Sequence, residues 1–401
     1  MGHFFRPATE DDDGILRELF NASQMSDGGL FSLRYGREPS FFHGLEVEGP
    51  FQQTGICVDE ETGKALACFT RTVRKLWVNG KVENFGYIAN CRILPEYRNS
   101  TLLFKGYGTL KKWHEEALAG RAMETPLKVE PETPVKKEDG DDTGKGSPDA
   151  CDLYLSTILE GNEEAQKILT SGRAALPAYH EIGSYVSHAI VANQNVDCDF
   201  DGRIVPGSRE MVPEIVACLN RQGKRRQFAP YFEEDDFEPG NPLTRGLSPD
   251  NFLVARSPRG VVGVMASWNQ LSFKQLKVER YGFLMKCVRA LWNTVMPSLG
   301  YGALPSEGMD LPIYFVSMVS VDDDDRDVFR ALLSRLIRNL KSKDCLFAIL
   351  GLAENDPLVP HLAGFLKLGY KSRIYVVSHE GSEEKLKALD SKVPWLDVAT
   401  I

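Results

Sequence analysis

Arg98 stands in a short polar turn, Arg98-Asn99-Ser100-Thr101, between a strand-like and a helix-like stretch. A turn that opens a helix leaves several backbone N–H groups unpaired and pointing one way. With the positive end of the helix dipole, those donors make a site for an anion. The guanidinium of Arg98 adds a fixed charge whose fork suits a phosphate. A second turn of this kind reads Val321-Asp322-Asp323-Asp324-Asp325-Arg326. Carboxylates at a helix start are a good cap. They would repel a diphosphate, since one like-charged pair about 4 Å apart costs about 4 kcal/mol at an effective dielectric of about 20. A metal could use Asp322 to Asp325, but a solvated cap is the plainer reading, and no metal site is expected. The sequence has no Ser-His-Asp order, no metal-ligand spacing and no Walker loop.

The elements that position Arg98 follow from the run NFGYIANCRILPEYRNSTLLFKGYGTLKKWHEE, Asn84 to Glu116. Phe85 to Leu94 is rich in aromatic and β-branched residues, as a buried strand should be. Pro95 ends it, because proline has no N–H for a ladder. Leu102, Leu103, Tyr107, Leu110 and Trp113 then recur at roughly helical spacing. Strand alternation puts Glu83, Phe85, Tyr87 and Ala89 on one face unless a bulge intervenes.

Arg-Ile-Leu-Pro-Glu-Tyr-Arg, Arg92 to Arg98, resembles the strand-to-helix signature of the GCN5-related N-acetyltransferase (GNAT) superfamily. There the pattern Gln/Arg-x-x-Gly-x-Gly/Ala wraps the diphosphate of coenzyme A. Arg98 falls on its first position, and Thr101 and Leu103 fall where the small residues usually stand. A Cβ at those positions restricts backbone approach to the phosphates. Gly106-Tyr107-Gly108 offers a competing register that puts Leu103 where the arginine belongs. The resemblance implies cofactor contacts from Arg98, Asn99, Ser100, Thr101, Leu102 and Leu103. It implies oxyanion donors on the strand around Cys91, Arg92 and Ile93. It also implies a role for Asn162, which with Ala165 matches an Asn-x-x-Ala helix start. Leu169 stands where that pattern carries its proton-donating Tyr. The general base of such enzymes is often a Glu on the same strand. Here that implies Glu83 at the strand start, with Tyr87 a second catalytic candidate. His43 and His114 are the nearest histidines, and Cys91 reads as core packing.

The rest of the chain repeats the order of elements. A short strand (4–8) and a helix (15–21) precede a loop rich in aromatics (23–50), which is expected to cover something. Thr54–Val58 and Ala65–Val73 form a hairpin, and Asn79-Gly80 marks a second one. Residues 120–150 are rich in Pro, Glu, Asp, Lys and Gly and read as a disordered acidic insertion. Asp152–Ile158, the helix Glu163–Leu169, and the strands Glu181–Tyr185 and Ser187–Val191 close a first unit. From Arg203 the pattern starts again, at an offset of roughly 200 residues. Its central strand is Leu311–Val321 and its helix Val328–Leu340. A helical insertion covers 273–299, a strand Cys345–Leu352, a helix Leu358–Leu368, and Ile374–Val377 is the last strand. The fold class expected is therefore α/β, with two tandem acyl-CoA N-acyltransferase (GNAT-like) domains. Each is a mixed, mainly antiparallel sheet flanked by helices. The first spans 1–195 and holds the acyl-CoA site; the second spans 200–401 and lacks one.

The chain has 401 residues, 42% hydrophobic and 26% charged, with net charge −9 and pI near 5.5. That balance argues against broad nucleic-acid or anionic-membrane binding. There is no apolar run long enough for a membrane span, and the acidic start differs from a signal peptide. Eight cysteines without a Cys-x-x-Cys pair read as reduced thiols of a cytoplasmic protein. The function that the resemblance to the GNAT superfamily implies is transfer of an acetyl or longer acyl group from acetyl-CoA or another acyl-CoA to an amine. The acceptor would be a small molecule or a peptide. The second unit would complete a substrate cleft or a homodimer surface. Three alternatives remain: a non-catalytic acyl-CoA-binding protein, a structural subunit, and an aminoacyl transferase of the Fem type, which also pairs two such folds.

Overall fold

A computed structural model describes residues 3–22, 26–27, 31–98, 100–121, 148–173, 176–192, 194, 196, 198–343 and 345–401. Most of the expected insertion over 120–150, and Asn99, lie outside the described residues.

The strands are β1 (Arg6–Pro7), β2 (Ser26–Asp27), β3 (Phe31–Gly36), β4 (Phe51–Val58), β5 (Ala65–Val78), β6 (Lys81–Ile93), β7 (Leu153–Leu159) and β8 (Ala178–Val191). They continue with β9 (Arg203–Pro206), β10 (Ala229–Pro230), β11 (Phe252–Ser257), β12 (Gly260–Trp268), β13 (Gln275–Tyr281), β14 (Ile313–Val321), β15 (Phe347–Ala353) and β16 (Lys367–Ser378). The helices are α1 (Asp13–Ala22), α2 (Phe41–Glu46), α3 (Leu102–Leu118), α4 (Glu163–Leu169), α5 (Val212–Gly223), α6 (Phe283–Val295), α7 (Arg326–Leu340) and α8 (Glu383–Lys387).

One 13-stranded, mostly antiparallel sheet runs through the molecule in the order β1-β4-β5-β6-β7-β16-β8-β15-β14-β12-β11-β9, with β10 added beside β5. From either edge the order runs a short edge strand, an antiparallel hairpin, then a strand with a parallel neighbour: β1, β4–β5 and β6 beside β7, and β9, β11–β12 and β14 beside β15. β16, from the second half, lies between β7 and β8 of the first, and β8 lies against β15 of the second. The stretch 178–191 is thus one strand, not two, with a bulge beside Gly183 at φ +154°. Helices flank the sheet. α3 packs Tyr107, Leu110 and Trp113 against Phe69, Val73 and Ile88. α5 and α7 bury Ile215, Leu219, Phe329, Leu332 and Leu333 against the second half of the sheet. α3 also holds β16: His114 stacks on His379, ring centroids 4.5 Å apart, and its Nδ1 lies 3.0 Å from the Tyr154 hydroxyl.

The Asn79-Gly80 hairpin forms as expected, both residues at positive φ, with Val78 paired to Lys81. Three further segments differ from the sequence reading. Residues 273–299 carry β13 before α6, and β13 pairs with β3 in a small second sheet, β13-β3-β2. The long aromatic loop contains that strand β3 and the helix α2. Over 358–368 only a short turn, Val359–Leu362, is helical, because Pro360 lacks an N–H and Gly364 sits at φ +87°.

The exchange of β8 and β16 has a direct consequence for the two halves. A fragment of residues 1–199 leaves β7 and β8 without their shared neighbour β16. It is expected to show no cooperative unfolding transition by circular dichroism and to elute as aggregates in gel filtration, whereas the full chain unfolds cooperatively.

Candidate functional site

The site grows from a break in β6. Thr70 on β5 pairs with Ala89, but Cys68 pairs with Arg92, so Asn90 and Cys91 stand together opposite Phe69. Asn90 takes φ +53° to make this bulge, its amide donating 3.0 Å to the Thr70 hydroxyl. An extra residue in a strand shifts the alternation of faces beyond it. Before the bulge Ile88 faces α3; after it Cys91 and Ile93 do, around a narrow apolar recess also lined by Leu102, Leu103 and Tyr107. Arg92 lands on the opposite side, its guanidinium 5.2 Å from the centre of the Phe20 ring on α1. Cys91 is therefore exposed beside this recess and not packed in the core.

β6 also parts from its parallel neighbour here. Its pairing with β7 consists of Gly86 with Tyr154 and Tyr87 with Leu155. Gly86 permits the approach, since a Cβ there would lie 2.1 Å from the Tyr154 ring. At the fork the Tyr87 and Thr157 hydroxyls lie 2.8 Å apart, and Ser156 donates to the Ile88 carbonyl at 3.1 Å. On the α3 side the hydroxyls of Tyr107 and Tyr179 lie 2.6 Å apart, and burial pushes both phenols up, so both keep their protons.

The turn after β6 sits at the end of this fork. Pro95–Tyr97 is a single helical turn, Arg98 is exposed, and α3 begins at Leu102. Ser100 caps it, its Oγ accepting from the Leu102 amide at 3.2 Å. Some donors are turned inward: the Arg98 amide bonds Pro95 at 3.4 Å and the Ser100 amide bonds Tyr97 at 3.0 Å. Arg98 makes no ion pair among the described residues, and Thr101 makes no side-chain cap. Asn162 caps α4 through the Ala165 amide at 3.2 Å.

The other side of the fork holds a buried polar group that local sequence reading missed. Glu48 follows α2 and is 3% exposed. Burial pushes its carboxyl up, against the pull of Lys274, Arg37 and a hydrogen bond from Asn90 at the bulge. Burial brings Lys274 down to about 8. Tyr87 and Tyr35 lie in the same electrostatic neighbourhood. Glu83, by contrast, stands near the start of β6, opposite Leu76 and seven residues from Asn90. His43 lies half-buried within α2. No motif signalled Glu48: it sits in a glycine-rich stretch, and Lys274 reaches it from more than 200 residues away.

The second half carries a like bulge, beside a recess lined by Met318, Ser320, Arg226 and Asp324. Ala266 pairs with Ser317 and Val264 with Ser320, so Met318, at φ +50°, makes an equivalent bulge in β14. The Asp397 carboxylate fills it, accepting from the Met318 amide at 2.7 Å and the Ser317 hydroxyl at 2.6 Å. The aspartates after β14 are neutralised from α5 and the turn after it: Arg221 and Gln222 bind Asp322, Arg225 binds Asp323, and Arg226 binds Asp324. Asp325 caps α7. Arg226 also lies 3.3 Å from Asp356, whose side chain is fully buried. No group of three or more metal-ligating side chains occurs among the described residues, nor a helix long and apolar enough to cross a membrane.

Removing Arg226 would strip the buried Asp356 of its counter-charge. Arg226→Ala is expected to lower stability by about 3 kcal/mol, read by urea denaturation, with the Arg225→Ala change at the exposed Asp323 pair costing under about 1 kcal/mol.

No family model matches the chain, and no curated protein matches it in sequence. Solved structures do match. Saccharomyces cerevisiae N-myristoyltransferase with bound myristoyl-CoA is 12% identical with TM-score 0.53, over 93% of this chain and 82% of that one. A GCN5-related N-acetyltransferase from Sphaerobacter thermophilus is 13% identical with TM-score 0.52, over 100% and 98%. A GCN5-related glucosamine N-acetyltransferase region of a fungal multi-domain β-N-acetylglucosaminidase is 11% identical with TM-score 0.56, over 94% of this chain and 38% of that one. The forked strand, its bulge and these likenesses agree that the chain has the fold of the GNAT superfamily.

Proposed function

We propose that this protein transfers an acyl group from an acyl-CoA to an amine, that its halves are two copies of one fold, and that the first copy alone carries the reaction. The observation that carries this reading is the asymmetry of the two forks. At β6 the bulge lies beside an apolar recess and a turn bearing Arg98; at β14 the bulge is filled by Asp397 and the turn is a paired acidic cap. Arg98 and the turn 98–103 suit the diphosphate. The fork between β6 and β7 suits an extended pantetheine arm, which can add to the open strand edge by backbone hydrogen bonds. The apolar row of Ile88, Cys91 and Ile93 suits contact with an acyl group.

Transfer needs an amine freed of its proton, donors for the developing oxyanion, and a proton for the leaving thiolate. Backbone N–H groups at the Asn90–Ile93 bulge supply fixed donors. Glu48, beside that bulge, is placed to take the amine proton, and its raised carboxyl makes it a better base than an exposed one. Glu83 stands too far along β6 to share this task, whereas Tyr87 lines the fork and orders it through Thr157. Tyr107 and Tyr179 keep their protons and occupy the α3 side of the fork, so they can protonate the thiolate where Leu169 replaces the expected Tyr.

Two measurements test this. Acetyl-CoA and a longer acyl-CoA should bind the intact protein at micromolar concentration by calorimetry, at least tenfold more weakly in Arg98→Ala; no binding of either overturns the reading. Glu48→Gln should lower kcat/KM for an amine acceptor by about 100-fold to 10,000-fold. In the wild type the acidic limb should lie above the ordinary carboxylate range, because the base must lose a proton that burial retains; the variant should lose that limb. An unchanged pH profile would assign the base elsewhere.

A further inference from the structure

Arg37 and Arg92 both lie against the ring of Phe20. Their guanidinium carbons lie 5.5 Å and 5.2 Å from its ring centre, and Arg37 is also 5.6 Å from the ring of Tyr35. Arg37 is 5% exposed. One of its nitrogens donates 3.3 Å to the Gly36 carbonyl. Buried Nε atoms of both arginines lack a hydrogen-bond partner among the described residues. Neither arginine forms an ion pair there. Arg92 opposes the charge on Arg37, and the carboxylate that favours that charge is Glu48, which already faces Lys274. So two cations, Arg37 and Lys274, share one carboxylate, an oxygen of which has no hydrogen-bond partner among the described residues.

This arrangement is costly as it stands. Burying a guanidinium without a counter-ion is unfavourable, and stacking on an aromatic face offsets only part of that cost. The fold nevertheless builds the pocket deliberately around Arg37. A Cβ at Gly44 on α2 would lie 2.7 Å from the Arg37 side chain, so the glycine is what admits it. The missing charge is an anion, and it belongs where an acceptor would sit, because Arg37 interacts with both Glu48 and Arg92.

We infer that Arg37 and Arg92 bind an anionic oxygen group, a carboxylate or a phosphate, carried by the amine acceptor a few bonds from the amine that Glu48 receives. The inference rests on the acyltransferase reading and names its acceptor class. Arg37 and Arg92 hold the anion by charge-assisted hydrogen bonds. Apolar amines would leave two buried cations unpaired and so be rejected.

Matched acceptors test it. Coenzyme A release from acetyl-CoA is followed with O-phosphoethanolamine against ethanolamine, and with β-alanine against β-alaninamide. The anionic member of at least one pair should be preferred at least tenfold in kcat/KM, and the two arms tell phosphate from carboxylate. Arg37→Gln should reduce that preference at least tenfold; Arg92→Gln is the second variant if the first fails to fold. Equal or better use of both neutral amines by a protein that binds acetyl-CoA overturns the anion site and leaves the transferase reading intact. If acetyl-CoA does not bind, the transferase reading falls. Inorganic phosphate is then titrated calorimetrically into wild type and Arg37→Gln. Binding weakened tenfold by the variant supports the anion site, and no binding by the wild type overturns it.

Discussion

The pairing of β8 with β16 is the constraint on which the rest of the molecule depends. It sits at the centre of the strand order and runs from Ser378 with Ala178 to Lys367 with Ile190. Each strand completes the half that the other belongs to by sequence. Neither half of the sheet can therefore close before the whole chain is made, and the cost of ordering that long loop is met only when both strands are in place. In return, the two forks are fixed relative to one another. Lys274 from the second half can then reach Glu48 beside the first bulge while it also bonds the Ala399 carbonyl at 3.2 Å.

The bulge at Asn90 decides what each face of β6 does. Without the extra residue, Arg92 would continue the alternation of Ile88 and lie under α3, and Cys91 would join Tyr87. The shift instead sorts an apolar row, Ile88, Cys91 and Ile93, towards the recess under α3, and puts Tyr87 near Glu48 and Arg92 against Phe20. One strand thus separates an apolar compartment from a charged one. Met318 makes the same shift in β14, yet there the exposed amide is met by Asp397 of the same chain. The same backbone device stands beside an apolar recess in one half and meets a carboxylate in the other.

Much of this was legible locally. The Asn-Gly hairpin, the Pro95 stop and the helix after Arg98 each follow from a handful of adjacent residues. The four aspartates read correctly as a helix cap, Asp325 taking that role, but the sequence showed only Arg326 as their counter-charge. Arg221, Arg225 and Arg226 reach them across about a hundred residues, which no window reveals. β13 was hidden in a segment whose apolar residues continue into a true helix, and its partner β3 lies far away in sequence. Glu48 escaped notice for the same reason. A carboxylate's chemistry is set by what buries it, and Glu48 is enclosed by groups from α2, β3, β6 and the residues before β13.

Charge explains why one fork can stay open while the other shuts. A diphosphate arriving at the second turn would have to displace arginines that already hold Asp322, Asp323 and Asp324, one of them shared with the fully buried Asp356. Burial keeps Asp356 above the ordinary carboxylate range even with Arg226 beside it, so desolvation already outweighs the attraction there. Breaking the pair would expose that deficit in full, and the incoming anion would meet the freed carboxylates. At the first turn nothing comparable has to be undone. Arg98 is exposed and unpaired among the described residues, and Ser100 caps α3 without bringing a negative charge. The acidic turn therefore acts as a lock on the second fork, whereas the first remains electrostatically available to a phosphate.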